Sequence, residues 1–307
     1  MKRLSFVLLL AVCAFARTPA ARADETRTLD IGGVQRSYVI HLPPDSGSTP
    51  HPLLLLFHGG GGRGKGMARL TRIEPIADRA GFIVVYPDGI DRHWNDGRDT
   101  IKNKVDDIGF VARLIDTLER EYPIDRGRVA VAGISNGAIF AERVGCDLAG
   151  RVGTIAAVAG TLAVDYAPNC HPARPISVLQ FDGTSDPIMP YAGGHVADFG
   201  GRGEGGNILS VDATAAFWLR MDDCGAGLHD QLLPASARFD PTRVTLESSG
   251  PCRDGNAVHV YSIGDGGHTW PGGMQYLPRF VIGRTTRQID ASSIIVRFVL
   301  DHPRASR

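Results

Sequence analysis

Residues 128–141 read RVAVAGISNGAIFA. The run Val129–Ala132 is apolar and β-prone, and it enters Gly133-Ile134-Ser135-Asn136-Gly137. The segment Ala138–Cys146 that follows has the composition of a helix. Strand, G-x-S-x-G, helix is the order of a nucleophile elbow, a sharp strained turn that lifts a serine hydroxyl clear of a sheet. A Cβ on either flanking glycine would strike the adjoining strand or helix, so glycine is needed there. The turn also puts the backbone N–H of Asn136 at a helix N-terminus, where negative charge is stabilised. The competing reading is a Gly-rich helix start with Ser135 as a simple N-cap. The strand before, the helix after and the partners further along the chain favour the elbow.

Strand and helix patterns alternate on both sides of this stretch. Gln35–Leu42 alternates like a strand and stops at Pro43-Pro44. Leu53–Phe57 and Phe82–Tyr86 are continuous apolar runs, as in strands buried on both faces of a parallel sheet. Val152–Ala159, Ile176–Phe181 and Ala257–Ile263 read as further strands. Helices are expected over Ala68–Ala80, with Gly81 as its stop, and over Val105–Tyr122, Ile208–Met221 and Ile289–Leu300. This alternation predicts a mostly parallel central sheet with helices on both faces. No internal repeat or break in composition marks a second domain. Asp106-Asp107 opens the helix at 105, and capping or dipole stabilisation accounts for the pair. Gly193–Gly206 holds seven glycines in fourteen residues and reads as a mobile loop beside the site, or as an inert surface excursion.

A chain of 307 residues, 43% hydrophobic and 21% charged, can bury one large core. Formal net charge is zero, so no basic excess points to nucleic acid. Residues 1–23 read as a secretory signal: Lys2 and Arg3, the apolar Leu4–Ala16, then Ala21-Arg22-Ala23 as a cleavage site. The apolar run is too short to span a membrane stably. Cys13 gives a faint likeness to a lipoprotein signal, which Val12 fits poorly. Residues 24–307 are then one catalytic domain. Its four cysteines, Cys146, Cys170, Cys224 and Cys252, suit two disulfides in an exported chain. Three connectivities are open, and the pairs nearest in sequence, Cys146–Cys170 and Cys224–Cys252, are favoured.

Ser135 needs a base, and His268 in Gly264–Gly273 (GDGGHTWPGG) stands in a turn just past the last expected strand. The acid should lie between them in the chain. Asp186 follows the strand Ile176–Phe181, and Asp182 at the strand end is its rival, with Asp186 preferred. The acid holds the histidine tautomer and stabilises the imidazolium. Two oxyanion donors are expected from the N–H of Asn136 and from the loop after Leu53–Phe57, at Gly60 or its neighbour Gly59. Those glycines carry a decoy. Gly59, Gly61 and Gly64 fit a dinucleotide motif, and Gly59 to Lys65 fits most of a P-loop. Gly66 stands where a P-loop needs Ser or Thr, and export argues against a nucleotide enzyme. Trp94 and Trp270 are candidate apolar walls for the substrate, the alternative being ordinary packing.

The motifs FHGGGG, YPDG, VDDIGF, GISNGA, FDGTSDPIMPY and GHTWPGG, in this order, resemble the exported poly(3-hydroxybutyrate) depolymerase and feruloyl esterase family (LpqC-like) of α/β-hydrolases. The likeness runs from about Tyr38 to Val299. It implies an α/β-hydrolase fold and a serine carboxylesterase with Ser135, Asp186 and His268 as its triad and no metal or cofactor. The implied partner is an ester: feruloyl, acetyl, or a short 3-hydroxybutyrate oligomer. A polyamide hydrolase or a non-catalytic binding protein on the same scaffold are the alternatives.

Overall fold

The computed structural model describes residues 24–305 apart from 46, 48, 199–203 and 226. The expected signal at 1–23 lies outside the described residues. The strands are β1 (Glu25–Ile31), β2 (Val34–His41), β3 (His51–Phe57), β4 (Ile83–Pro87), β5 (Ile124–Ile134), β6 (Thr154–Val158), β7 (Ser177–Gly183), β8 (Gly194–His195), β9 (Asn207–Ile208), β10 (Leu228–Leu232), β11 (Arg243–Ser249) and β12 (Val258–Gly264). The helices are α1 (Gly64–Thr71), α2 (Glu74–Ala80), α3 (Asp107–Glu121), α4 (Asn136–Asp147), α5 (Val211–Met221), α6 (Arg279–Ile282) and α7 (Ala291–Asp301).

Ten strands form one sheet in the order β1-β2-β4-β3-β5-β6-β7-β12-β11-β10. From β4 to β12 the neighbours run parallel, and the pairs outside them run antiparallel. Side chains of a strand alternate between faces. Leu53, Leu55 and Phe57 of β3 therefore join α3, α4 and α5 through Phe110, Leu114, Phe140 and Trp218. Leu54 and Leu56 join the opposite layer, with Met67, Ile73, Ile295 and Val299 from the α1, α2 and α7 side. Both faces of the parallel strands are covered, as their unbroken apolar runs require.

The helix expected over Ala68–Ala80 is two helices. Arg72 ends α1 in a left-handed conformation at φ 53°, and Pro75 sits in the first turn of α2. Inside one continuous helix that proline would lose a hydrogen bond and clash with the preceding turn. The helix expected from Ile208 starts at Val211, because Ser210 caps it through its hydroxyl and Ala213 N–H. Of the two acids at 106–107, Asp106 caps α3 through Gly109 N–H. Asp107 does something else. It is buried, pairs with Arg36 at 2.7 Å and accepts Asn95 N–H at 2.7 Å. The strands β1, β10 and β11 are additions at the sheet edges. Both favoured disulfides form, Cys146–Cys170 tying the end of α4 to the approach to β7, and Cys224–Cys252 tying the end of α5 to the approach to β12. Among the described residues, no helix is long and apolar enough to cross a membrane.

One buried acid predicts a pH effect on stability. Glu142 of α4 is fully buried, and burial pushes its carboxyl up from 4.5 to about 8. The indole N–H of Trp218 donates to it at 2.5 Å. Between those two values the folded chain keeps a proton that the unfolded chain releases, so stability falls as pH rises through that window. Glu142→Gln keeps the acceptor for Trp218 and has no proton to lose. Melting temperatures from pH 5 to 8 should decline less steeply in the variant than in the wild type; parallel curves would remove Glu142 as the cause.

Candidate active site

The chain reaches the elbow along β5 and leaves it along α4. Ser135 sits between them at φ 59° and ψ −127°, in the left-handed half of backbone space. Such a conformation persists in a non-glycine residue only when its surroundings impose it. They do so by close packing. A Cβ on Gly133 would lie 2.1 Å from the carbonyl oxygen of Gly137, and one on Gly137 would lie 2.5 Å from those of Phe57 and His58. The elbow is thus locked against the end of β3 and the loop that follows it.

That loop runs His58-Gly59-Gly60-Gly61-Gly62. The His58 ring fixes it: Nε2 accepts Gly89 N–H at 3.0 Å, which leaves Nδ1 to donate to Gly59 O at 2.8 Å. Burial lowers the His58 pKa to about 4, so the ring is neutral at working pH and serves as a brace. Gly60 and Asn136 stand side by side at the cavity. Among the described residues, the backbone N–H groups of Gly60 and Asn136 have no acceptor. Both remain free for an incoming oxygen. The Asn136 side chain, by contrast, is fully used. It accepts Trp94 N–H and donates to Trp94 O and to Asp96, which is clamped in turn by Arg98.

His268 follows β12 and is 3% exposed. Its Nδ1 meets Asp186 Oδ2 at 2.8 Å, its backbone N–H reaches Ile282 O, and its carbonyl accepts the Tyr276 hydroxyl. The other oxygen of Asp186 accepts Ile188 and Met189 N–H at 2.7 and 2.9 Å. Asp182 is buried at the end of β7 and does not reach the imidazole. One of its oxygens accepts Gly160 N–H at 3.2 Å and the other has no partner among the described residues. Burial, reinforced by the Asp186 charge, raises its pKa well above the carboxylate range. The sequence alternative Asp182 is therefore a buried strand-end residue, and Asp186 is the one paired with His268.

Ser135, His268, Gly60 and Asn136 line one cavity of about 650 Å³. Ser135 Oγ and the His268 ring share that cavity without a hydrogen bond between them. Catalytic hydrogen bonds of this type are often long before substrate binds. A hydroxyl, an imidazole oriented by a carboxylate, and two free N–H groups beside them suffice for acyl transfer.

Trp94 and Trp270 require correction. Both are fully buried and neither lines the cavity. Trp94 stacks on Phe140 and donates its indole N–H to His58 O, while Trp270 donates to Ser292. They support the loops around the site and do not wall the substrate. The apolar walls are Met67, Leu70, Ile188, Met189, Val196 and Leu277. The dinucleotide and P-loop motifs also dissolve. At the start of α1, where a phosphate would sit, the Asp88 carboxylate accepts Gly64 N–H at 2.8 Å. Of the Gly-rich segment 193–206, residues 199–203 lie outside the described residues. Its flanks pair as β8 and β9, and Val196, Ala197 and Glu204 line the cavity. Sequence reasoning missed Asp96 and Arg98, whose only sequence signal is their place beside Trp94 in HWNDGR.

The fold and the cavity define an α/β-hydrolase with a serine at its elbow. Residues 36–195 match the family described as esterase PHB depolymerase; the chain belongs to that family and is a carboxylic-ester hydrolase. It is 29% identical over 295 residues to the putative esterase NocK of Nocardia uniformis subsp. tsuyamanensis, covering 92% of this chain and 85% of that one. It is 28% identical over 242 residues to feruloyl esterase B of Piromyces equi, covering 76% of this chain but 42% of that protein. In fold it is similar to an acetyl xylan esterase from Aspergillus awamori, with a TM-score of 0.55 at 13% identity over 80% of this chain and 94% of that one.

Proposed function

We propose that the chain is an exported serine esterase. Ser135 Oγ attacks the ester carbonyl carbon and gives its proton to His268 Nε2. Asp186 holds the Nδ1–H and stabilises the imidazolium. The N–H groups of Gly60 and Asn136 carry the charge that develops on the carbonyl oxygen. Collapse of the tetrahedral intermediate expels the alcohol, which takes the proton from Nε2. Water then enters by the same route in reverse and frees the acid. The Ser135–His268 hydrogen bond forms as the ester fills the cavity. The substrates are feruloyl- or acetyl-type esters, or short 3-hydroxybutyrate oligomers. The mostly apolar walls and the feruloyl and acetyl xylan esterases among similar proteins support this class. Export is supported by the signal-like stretch at 1–23 and by two disulfides, which persist in oxidising compartments.

The observation that carries the reading is the 2.8 Å Asp186–His268 pair opening onto the same cavity as a strained serine. A fluorophosphonate probe should label the wild type at Ser135 and leave Ser135→Ala unlabelled. Hydrolysis of p-nitrophenyl butyrate should fall by roughly 10⁵-fold in that variant with the fold intact. Labelling at another residue, or activity within tenfold of wild type, rejects the serine mechanism. Methyl ferulate, acetylated xylan and 3-hydroxybutyrate oligomers, assayed together, then rank the acyl groups.

A further inference from the structure

His93 stands in the cavity and takes no part in the mechanism above. It follows a short turn, Ile90–Arg92, in which Asp91 and Arg92 both have left-handed backbones at φ 51° and 62°. Two non-glycine residues in succession in that region mark a turn imposed by its surroundings. The turn is tied to the oxyanion loop, because Gly61 N–H donates to Arg92 O at 2.8 Å. It swings the imidazole against Gly60. An atom placed where a Cβ of Gly60 would stand lies 3.0 Å from His93 Nε2 and 3.2 Å from its Cδ2. The other ring nitrogen, Nδ1, is 3.1 Å from Asp91 O. A carbonyl only accepts, so Nδ1 carries the hydrogen, and in that tautomer Nε2 holds a lone pair. Among the described residues Nε2 has no hydrogen-bond partner, and the ring is only partly buried.

The cavity therefore holds a second histidine beside His268. His268 is clamped by a carboxylate. His93 is held by a carbonyl, presents an acceptor, and sits beside the loop that carries one of the two free N–H groups. The nearby N–H groups of Gly60 and Asn136 are donors, and a donor on the substrate would pair with the acceptor at His93 Nε2.

We propose that His93 is a specificity residue, whose Nε2 accepts a hydrogen bond from a hydroxyl carried a few bonds from the reacting ester carbonyl. This deepens the serine-esterase reading and rests on it. The hydroxyl can belong to the acyl part, as in a 3-hydroxyacyl ester, or to the alcohol part, as in a monoester of a diol. The contact selects substrate without moving a proton. An ester with no such hydroxyl leaves Nε2 facing the cavity unpaired, which penalises it relative to the hydroxylated one.

The test compares methyl 3-hydroxybutyrate, 2-hydroxyethyl butyrate and methyl butyrate on the wild type, His93→Phe and His93→Gln. Phenylalanine keeps the ring's bulk against Gly60 and removes the acceptor. Glutamine restores an acceptor oxygen near the Nε2 position. His93→Phe should lower kcat/KM about tenfold for one of the two hydroxylated esters, the net worth of one neutral hydrogen bond in a partly exposed site. It should change methyl butyrate by less than about threefold, and His93→Gln should recover part of the loss. The hydroxylated ester that responds identifies which side of the carbonyl faces His93. Equal losses on all three esters would make the ring mere support for the oxyanion loop, and no loss on either hydroxylated ester would also overturn the proposal. A wild type inactive on all three, or unlabelled by fluorophosphonate, would instead count against the serine-esterase reading itself.

Discussion

Replacing Asp186 with Asn lowers kcat on p-nitrophenyl butyrate by about 10⁴-fold while leaving the fold and substrate affinity nearly unchanged. The size of the effect follows from the way Asp186 is held. One carboxylate oxygen accepts two backbone N–H groups, from Ile188 and Met189. In the variant only the amide oxygen can occupy that position, because the amide nitrogen would face two donors. The NH₂ group is then forced towards His268 Nδ1, where Asp186 Oδ2 now stands at 2.8 Å. A donor at that place demands a lone pair on Nδ1 and moves the ring hydrogen to Nε2. The imidazole then offers no lone pair to the Ser135 hydroxyl. Asp182→Asn is the control. Burial and the nearby Asp186 charge already push the Asp182 carboxyl well above its ordinary value. Its Asn counterpart still accepts Gly160 N–H, so activity should change by less than about threefold. The two variants exchanging their behaviour would move the acid from residue 186 to 182.

The sheet, the elbow and the order of the candidate site residues were legible because each has a local signature. Buried parallel strands such as Leu53–Phe57 have no polar face, and the glycines of G-x-S-x-G are demanded by contacts one turn away. Edge strands carry no such signature. β10 reads LHDQL with four of its five residues exposed, and pairing with β11 along the backbone makes it a strand. The break after Thr71 was hidden by a continuous amphipathic pattern, although Pro75 marked it. Trp94 and Trp270 were misread for a further reason. Sequence places a large aromatic near a site, but burial is decided by which neighbours close over it, and here Phe57, His58 and Phe140 surround Trp94. The same loop hid the tie from Asn136 to Asp96, which joins the elbow helix to residues forty positions earlier. A contact of that range depends on topology and leaves no periodicity behind.

Gly137→Ala should cost more than about 4 kcal/mol, which places it among the most damaging single substitutions this fold can suffer. The added Cβ would lie 2.5 Å from two carbonyl oxygens, those of Phe57 and His58, and 2.8 Å from the Phe57 carbonyl carbon. All three are backbone atoms. Phe57 is fixed by the ladder between β3 and β5, and His58 by its ring's bonds to Gly59 O and Gly89 N–H. No rotamer change relieves the overlap, so α4 must move away from the sheet or the oxyanion loop must shift. At about 2 °C per kcal/mol for a chain of this size, the melting temperature should fall by roughly 8 °C or more. Gly66→Ala is the matched control. Gly66 lies in α1, an added Cβ there meets nothing within 4 Å, and its backbone is ordinary helix. That variant should gain about 0.5–1 kcal/mol from helix propensity. Residual Gly137→Ala enzyme, assayed below its melting range, separates loss of turnover from loss of folded protein. Either shift displaces an oxyanion donor, because α4 begins at Asn136 and the loop carries Gly60. Turnover should therefore fall by a further 10²-fold or so even where the chain is fully folded. A Gly137→Ala protein as stable as the wild type would mean that the elbow is not packed against β3 as described.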